Sequence, residues 1–326
     1  MSRFTHAAAT MHTLSLAAME EASRFGVRDA DIDHLLLALT IDPDTGGQIL
    51  RGMGAGLDAA RAAVAAQHAA QLELVGIASD TDGLGRIVFH ETSGYEWTER
   101  ALTVLKEASS GDRHGDSAAV LRTLIDEPSG LIQEILRRID VDPEILSAHL
   151  DEVQRLRLVP LQAPDTHTLS GTRSLFAPAS REDVWALLSS AGRIPEWDPA
   201  VGTIHADHDT TGPWEAESTT EAPDGRPVRV KEEFRRQRVE LVECEKPALI
   251  RWRFSYPDAV RSNPRLVDFE LEHAAGGTQI RATLTWEATQ RRGGRRLVRA
   301  LLKPLHRLLV FTQLAQIESG ITRVFR

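Results

Sequence analysis

The chain has 326 residues, 42% of them hydrophobic and 26% charged, which supplies a core and a solvated surface and excludes wholesale disorder. Its formal charge of −9 is uneven: residues 1–160 hold 14 Lys and Arg against 25 Asp and Glu, while residues 161–326 hold 24 against 22. An acidic half joined to a slightly basic one predicts two units with different partners. The single cysteine, Cys244, excludes an intrachain disulfide and a Cys-rich zinc site; it fits a reducing compartment and reads as a buried small residue.

Early in the chain, Phe4–Met19 is uncharged but interrupted by Thr, Ser and His, and it runs straight into Glu20 and Glu21. It reads as an ordinary helix rather than a leader, and the expected location is cytoplasmic. Asp33 precedes the apolar run His34–Leu39, a short buried helix ending near Pro43. Gln48–Met53 and the Ala-rich Leu57–Leu74 are further helices. No stretch here alternates as a strand does, so the first half is all-α.

An order of elements then repeats. Phe4-Thr5 and Trp97-Thr98 each introduce a helix as an aromatic-Thr pair, with the Thr as N-cap. Glu20-Glu21-Ala22 precedes His34–Leu39 in the first unit, and Lys106-Glu107-Ala108 precedes Val120–Ile125 in the second. Each unit continues with a small turn, a short helix (Gln48–Met53; Leu131–Ile139) and a closing helix (Leu57–Gln67; Pro143–Leu156). The first helix of the second unit is about a turn shorter.

This order resembles the tandem-repeat N-terminal domain of the Clp family of unfoldases, over nearly all of residues 3–153. The resemblance implies docking of a peptide, a degron, a component of the Clp machinery or a cyclic-peptide antibiotic, through Phe4, Thr5, Asp33, His34, Trp97 and Thr98. Asp33 is then either the carboxylate that meets a guanidinium or the N-cap of its own helix. His34 reads as a half-buried packing residue. The second unit carries Ala118-Ala119 where the family has its carboxylate and His. No Gly-x-x-x-x-Gly-Lys-Ser/Thr phosphate loop occurs in the chain, and Gly52-Met53-Gly54-Ala55-Gly56 lacks the Lys, so ATP-driven unfolding is excluded.

Residues 158–166, with Pro160 and Pro164, read as a linker between a domain at 1–157 and one at 167–326. Beyond it the period becomes two. The strands expected are Thr168–Phe176, Val201–His208, Trp214–Thr220, Val228–Arg236, Val239–Glu245, Leu249–Tyr256, Arg265–His273 and Thr278–Glu287. Ile250, Trp252, Phe254 and Tyr256 share one face while Arg251, Arg253 and Ser255 share the other, the pattern of an antiparallel sheet covered on one side. Gly276-Gly277 reads as a hairpin turn. Ser180 caps a helix, Gly192–Trp197 forms a shorter one, and an amphipathic helix from about Arg295 to Val324 closes the chain. Its apolar line is Leu297, Leu301, Leu305, Leu308 and Ala315, and Pro304 should kink it or mark its start.

Strand, two short helices, antiparallel strands and a long last helix resemble the START-like, or SRPBCC, superfamily over residues 167–326. Phe176–Trp185, Ile194–Pro199 and Gly276–Ile280 carry the likeness. The fold class expected is therefore an all-α tandem-repeat domain followed by an α+β helix-grip domain, its antiparallel sheet wrapped round the long helix. The resemblance implies an apolar cavity lined by Trp197, Trp252, Phe254, Tyr256, Phe269, Leu271, Leu284, Trp286, Leu301, Leu305 and Leu308. The same stripe would equally build a core. His205 and His208, three apart on a strand, point to opposite faces and cannot share a metal. Glu215 with Glu217, and Glu233 with Arg235, share strand faces on the wet side.

No catalytic set, metal site or cofactor motif emerges, and Asp198 is the one acid or base expected at a cavity mouth. Between Arg291 and Arg307 a basic cluster (Arg291, Arg292, Arg295, Arg296, Arg299, Lys303 and Arg307) offers weak contact with an anionic membrane or a solvated face, and nucleic acid is not expected as a partner. The function expected is non-enzymatic binding: a peptide or Clp component by the first half, a hydrophobic small molecule by the second. The alternative is an enzyme of the polyketide cyclase/aromatase type in the second half.

Overall fold

The computed structural model describes residues 3–76, 85, 87–88, 96–110, 115–155, 169–205, 212–221, 226–287 and 296–326, with backbone alone for 3–9, 154–155, 169 and 296–308. The expected linker, His208, Arg291, Arg292 and Arg295 lie outside the described residues. Two compact units divide the chain, Met1–Pro160 and Leu161–Arg326.

The first unit is helical. Its elements are α1 (Arg3–Arg24), β1 (Asp29–Ala30), α2 (Ile32–Thr40), α3 (Thr45–Gly52), α4 (Leu57–Leu74), β2 (Glu96–Trp97), α5 (Glu99–Ala108), α6 (Ser117–Ile125), α7 (Leu131–Arg138) and α8 (Pro143–Arg155). The strands pair in parallel, Asp29 with Glu96 and Ala30 with Trp97, and so hold the starts of α2 and α5 together. Every residue of α2 is buried, because α1, α3, α4, α5, α6 and α7 all pack on it. That position explains a sequence apolar all round rather than on one stripe. Glu21 and Arg61, both buried, tie α1 to α4 through two hydrogen bonds of 2.7 and 2.9 Å.

This unit is not all-α, since β1 and β2 pair within it, and its caps and helix lengths also differ from expectation. Thr98 caps α5, its hydroxyl accepting from the Ala101 amide at 3.3 Å, but Thr5 lies inside α1, which already begins at Arg3. The cap of α2 is Asp31 rather than Asp33, since the helix opens two residues earlier than expected, at Ile32. Helix α1 has 22 residues and α5 has 10, a difference of more than three turns rather than one.

The second unit contains β3 (Leu169–Ala177), α9 (Arg181–Leu188), α10 (Ile194–Trp197), β4 (Val201–His205), β5 (Trp214–Ser218), β6 (Arg236–Glu245), β7 (Leu249–Ser255), β8 (Arg265–Ala274), β9 (Gly277–Trp286) and α11 (Arg296–Phe325). The strands form one antiparallel sheet in the order β3-β9-β8-β7-β6-β5-β4. Ser180 caps α9 by accepting from the Asp183 amide at 3.1 Å. Helices α9, α10 and the last turns of α11 meet the inner face, where Val310, Leu314, Ile317 and Ile321 of α11 are buried. Their spacing of four, three and four residues is one helical stripe.

Two glycines let these layers meet. A Cβ at Gly171 of β3 would lie 2.6 Å from Val310 Cγ1, and one at Gly320 of α11 would lie 2.4 Å from the Trp197 carbonyl oxygen. Any larger residue would push the helix off the sheet or off α10.

Among the described residues of this unit seven strands form, rather than the eight expected. Val228–Arg236 is not a strand: Glu232–Phe234 make a 3-10 turn and β6 starts only at Arg236. Val230 and Phe234 are only half-buried, so this stretch lacks a covered face to fix it as a strand. Glu233 and Arg235 consequently share no strand face. The turn between β8 and β9 is Ala275-Gly276, because Gly277 already pairs with Ala274; Gly276 supplies the positive φ of 74°. Helix α11 runs through Pro304 rather than starting there, since the missing amide removes one bond from a ladder of 30 residues.

Cys244 is exposed, not buried. A bulge between Leu241 and Glu243 inserts Val242, and Cys244 then pairs with Ile250 at the strand's end beside the turn to β7, beyond the cover of the helices.

Candidate functional site

The register aligns inward side chains in rows across the sheet. One row runs Trp286, Arg265, Phe254, Val239 and Trp214; the next runs Gly171, Leu284, Val267, Trp252 and Leu241. Of the residues expected to line a cavity, Trp197, Trp252, Phe254, Phe269 and Leu284 have no exposed surface, Leu271 is buried, and Trp286 and Tyr256 are half-buried. The Trp197 ring stands edge-on to Phe269 at 5.2 Å and Phe254 at 6.4 Å, and Trp214 meets Trp252 at 5.8 Å. The Trp252 indole donates to the Leu188 carbonyl at 2.8 Å. The side chains of Leu301, Leu305 and Leu308 lie outside the described residues.

An ion pair sits inside this aromatic face. Asp198, the residue closing α10, and Arg265, the first of β8, are 1% and 3% exposed and bonded to each other. Asp198 therefore lies in the interior rather than at a mouth. Its other oxygen accepts from the Ala200 amide at 3.0 Å. The Arg265 guanidinium rests over the Phe254 ring, 4.2 Å from its centre, which offsets part of the desolvation of a buried cation.

Polar groups continue from the pair toward the surface. Gln237, 1% exposed, donates to the Ala200 carbonyl at 2.8 Å and to Ser218 Oγ at 2.7 Å. Ser218 Oγ donates to the Phe234 carbonyl at 2.6 Å and also bonds the Tyr256 phenol. Burial pushes that phenol above its ordinary value. Among the described residues, three sealed polar atoms of the cluster find no hydrogen-bond partner: Arg265 Nε, Trp197 Nε1 and Gln237 Oε1. Arg265 and Gln237 escaped the sequence reading, although a signal existed. Each stands at the inward parity of its strand, two residues from Val267 and Val239 respectively.

A second inward charge, Arg173 on β3, pairs with Glu318 of α11 and lies 5.2 Å from the Phe311 ring centre. On the outer face Arg251 bonds Glu243 and Asp268, and Arg253 bonds Glu240 and Glu287, so these charges, like exposed Glu215 and Glu217, form a solvated ladder. An open crevice of about 280 Å³ lies beside α10, lined by Pro195, Glu196, Pro199, Thr219, Glu221 and Arg323 among others. None of the expected cavity residues reaches it.

In the first unit, Asp33, His34, Trp97 and Thr98 of the expected peptide-docking residues lie on elements that begin where β1 meets β2. Asp31 closes a capping box, its amide donating to His34 Nδ1 at 3.1 Å, and its carboxylate accepts from Thr98 Oγ1 at 2.6 Å and from Arg100 Nε at 2.7 Å. Burial would raise the Asp31 carboxyl, but the hydrogen bonds from Arg100 and Thr98 hold it below its usual value. Asp33 is 2% exposed, and its carboxylate is occupied by His68 Nε2 at 2.6 Å. Burial acts upward on Asp33 too, yet hydrogen bonds from His34 and His68 keep it well below the carboxylate range, and the same bond raises His68. His34 is buried rather than half-buried, packed edge-on to Phe25 at 5.4 Å. Trp97 is half-buried, and the side chains of Phe4 and Thr5 lie outside the described residues. Among the described residues no group of His, Cys, Asp and Glu could hold a metal, and no helix is long and apolar enough to cross a membrane.

A seven-stranded antiparallel sheet whose inner face meets a long final helix defines the second unit as a helix-grip domain. Residues 168–315 match the family described as polyketide cyclase / dehydrase and lipid transport, and this region has that family's fold. Among solved structures, the chain is similar to protein CV1439 from Chromobacterium violaceum (11% identity, 48% of this chain and 96% of that one, TM-score 0.34). It is similar also to the polyketide-cyclase-like protein Cgl2372 from Corynebacterium glutamicum (18% identity, 48% and 91%, TM-score 0.31). A third is the di-domain aromatase/cyclase StfQ of the steffimycin biosynthetic pathway (15% identity, 60% and 58%, TM-score 0.35). No curated protein sequence matches the chain significantly.

Proposed function

We propose that the second unit binds a hydrophobic small molecule between the inner face of its sheet and α11. One observation carries this reading: a face dense in Trp, Phe and Leu holds a buried ion pair whose neighbouring donors are unpaired, which is more polar equipment than a core alone requires. Entry falls over half-buried Trp286, next to Arg265 in the register. The test is native mass spectrometry of the full chain from its own host, followed by titration with lipophilic probes read by tryptophan emission. A co-purifying lipophile or saturable one-to-one binding is expected; neither across sterols, fatty acids, quinones and polyketides would overturn the reading.

The same reading gives the first unit a docking role for a peptide, a degron or a Clp component, without ATPase activity of its own. Its support is the twofold order of four helices, brought into one body by the β1–β2 pair. A pull-down of Clp subunits by the full chain, weakened by Arg100→Ala, tests it. The cyclase/aromatase alternative draws on Asp198 as a base and Tyr256 as an acid, both beside the permanently cationic Arg265. Cyclisation of a poly-β-keto thioester by the purified chain, lost in Asp198→Asn, would favour it.

A further inference from the structure

We infer that the head group recognised at the Asp198–Arg265 cluster is a neutral oxygen acceptor, such as a ketone or ester carbonyl, and not a carboxylate. This deepens the binding reading and rests on it.

Charge and donor count together select the head group. Arg265 is permanently cationic, but Asp198 bonds it directly, so the pair is electrically neutral. An added carboxylate would leave a net negative charge among Trp197, Phe254 and Phe269, all without exposed surface. Burying an uncompensated charge is far more costly than burying a neutral dipole. Two of the unpaired groups are donors: Arg265 Nε, on the pair itself, and Nε1 of Trp197, the residue before Asp198. A carbonyl oxygen has two lone pairs and can accept from such donors while leaving the ion pair intact. The unpaired acceptor, Gln237 Oε1, lies farther along the network and would suit a hydroxyl on the same molecule. Arg265 adjoins half-buried Trp286 across β8 and β9, so this donor stands one residue in from a wetter position of the face.

Three naphthalenes of nearly one shape separate the possibilities by calorimetry on the full chain: 2-acetylnaphthalene, 2-ethylnaphthalene and 2-naphthoate. An apolar slot binds the ethyl compound tightest and a cationic slot binds the naphthoate tightest. The inferred site binds the acetyl compound tightest, by at least roughly tenfold over ethyl, as hydrogen bonds from these two donors would give. Trp197→Phe should reduce that preference several-fold. The double variant Asp198→Asn/Arg265→Met, which strands no buried charge, should abolish it, with near-ultraviolet circular dichroism confirming its fold. Either other order of affinity, or a preference unmoved by both variants, overturns this inference while small-molecule binding stands. Saturable binding of none of the three also overturns this inference, while the broader panel of lipophilic probes decides the binding reading.

Discussion

Each unit buries a carboxylate against a cation, and the two do so differently. Asp33 pairs with His68, whose side chain is 36% exposed, on the rim of a helical unit. Asp198 pairs with Arg265 at 1% and 3% exposure, inside an aromatic sheet face. The first cation can lose its charge near neutral pH and remains wet; the second can do neither. The first pair is therefore an adjustable contact, whereas the second is a fixed dipole that the surrounding core must accommodate. That contrast gives the first pair a pH sensitivity that the second lacks.

The comparison breaks most directly at Arg265. Replacing it with Met strands the Asp198 charge, and a loss of ~3–5 kcal/mol is expected from urea unfolding followed by tryptophan emission. A cost below about 1 kcal/mol would mean that water already reaches the pair. Gly320→Ala comes next. A glycine in an exposed helix gains ~0.5–1 kcal/mol on such a change. Here the new Cβ meets the Trp197 carbonyl at 2.4 Å, so the expected sign is reversed, with a loss of ~1–3 kcal/mol in the same assay.

In the first unit, Asp31→Ala removes the cap of α2 together with the partner of Arg100 and Thr98. Amide hydrogen exchange across α2 should report a loss of ~0.5–2 kcal/mol, while exchange in β7 stays unchanged. The smallest effect is expected for His68→Gln, at most about 1 kcal/mol because the imidazole is partly exposed. It carries a pH signature. Asp33 is lowered from 3.8 and His68 is raised from 6.5, so the pair contributes fully between those values. The contribution fades as pH rises through the elevated His68 value, and again in strong acid as pH falls through the depressed Asp33 value. The difference between wild type and His68→Gln should therefore shrink from pH 6 to pH 8; a constant difference would make His68 a packing residue only. An NMR titration of His68, with Asp33→Asn restoring the value toward 6.5, gives the same test locally.

Much of the architecture was legible because it depends on local pattern. Alternation in Leu249–Ser255, Arg265–Ala274 and Gly277–Trp286 placed strands and their inner faces, since strand geometry has a period of two whatever the partners are. The Ser180 and Thr98 caps were equally readable, because each serves amides only three residues away. The Val228–Arg236 stretch alternated as well but lacked a covering layer, and a period without burial does not fix a strand. The cap of α2 shifted to Asp31 because Thr98 and Arg100, about seventy residues away, bind its carboxylate. Asp33 was thereby left to His68.

By itself, the sequence determined where chain segments become helix or strand and which faces turn inward, because those follow from side-chain spacing along one segment. Only the tertiary structure decided which charges those faces enclose. Nothing near Asp198 in the chain names Arg265 as its partner, 67 residues on; α10 and the start of β8 bring them together. The unpaired donors beside them exist for the same reason. Hydrogen bonding between distant segments is settled by packing, and packing is a property of the whole fold.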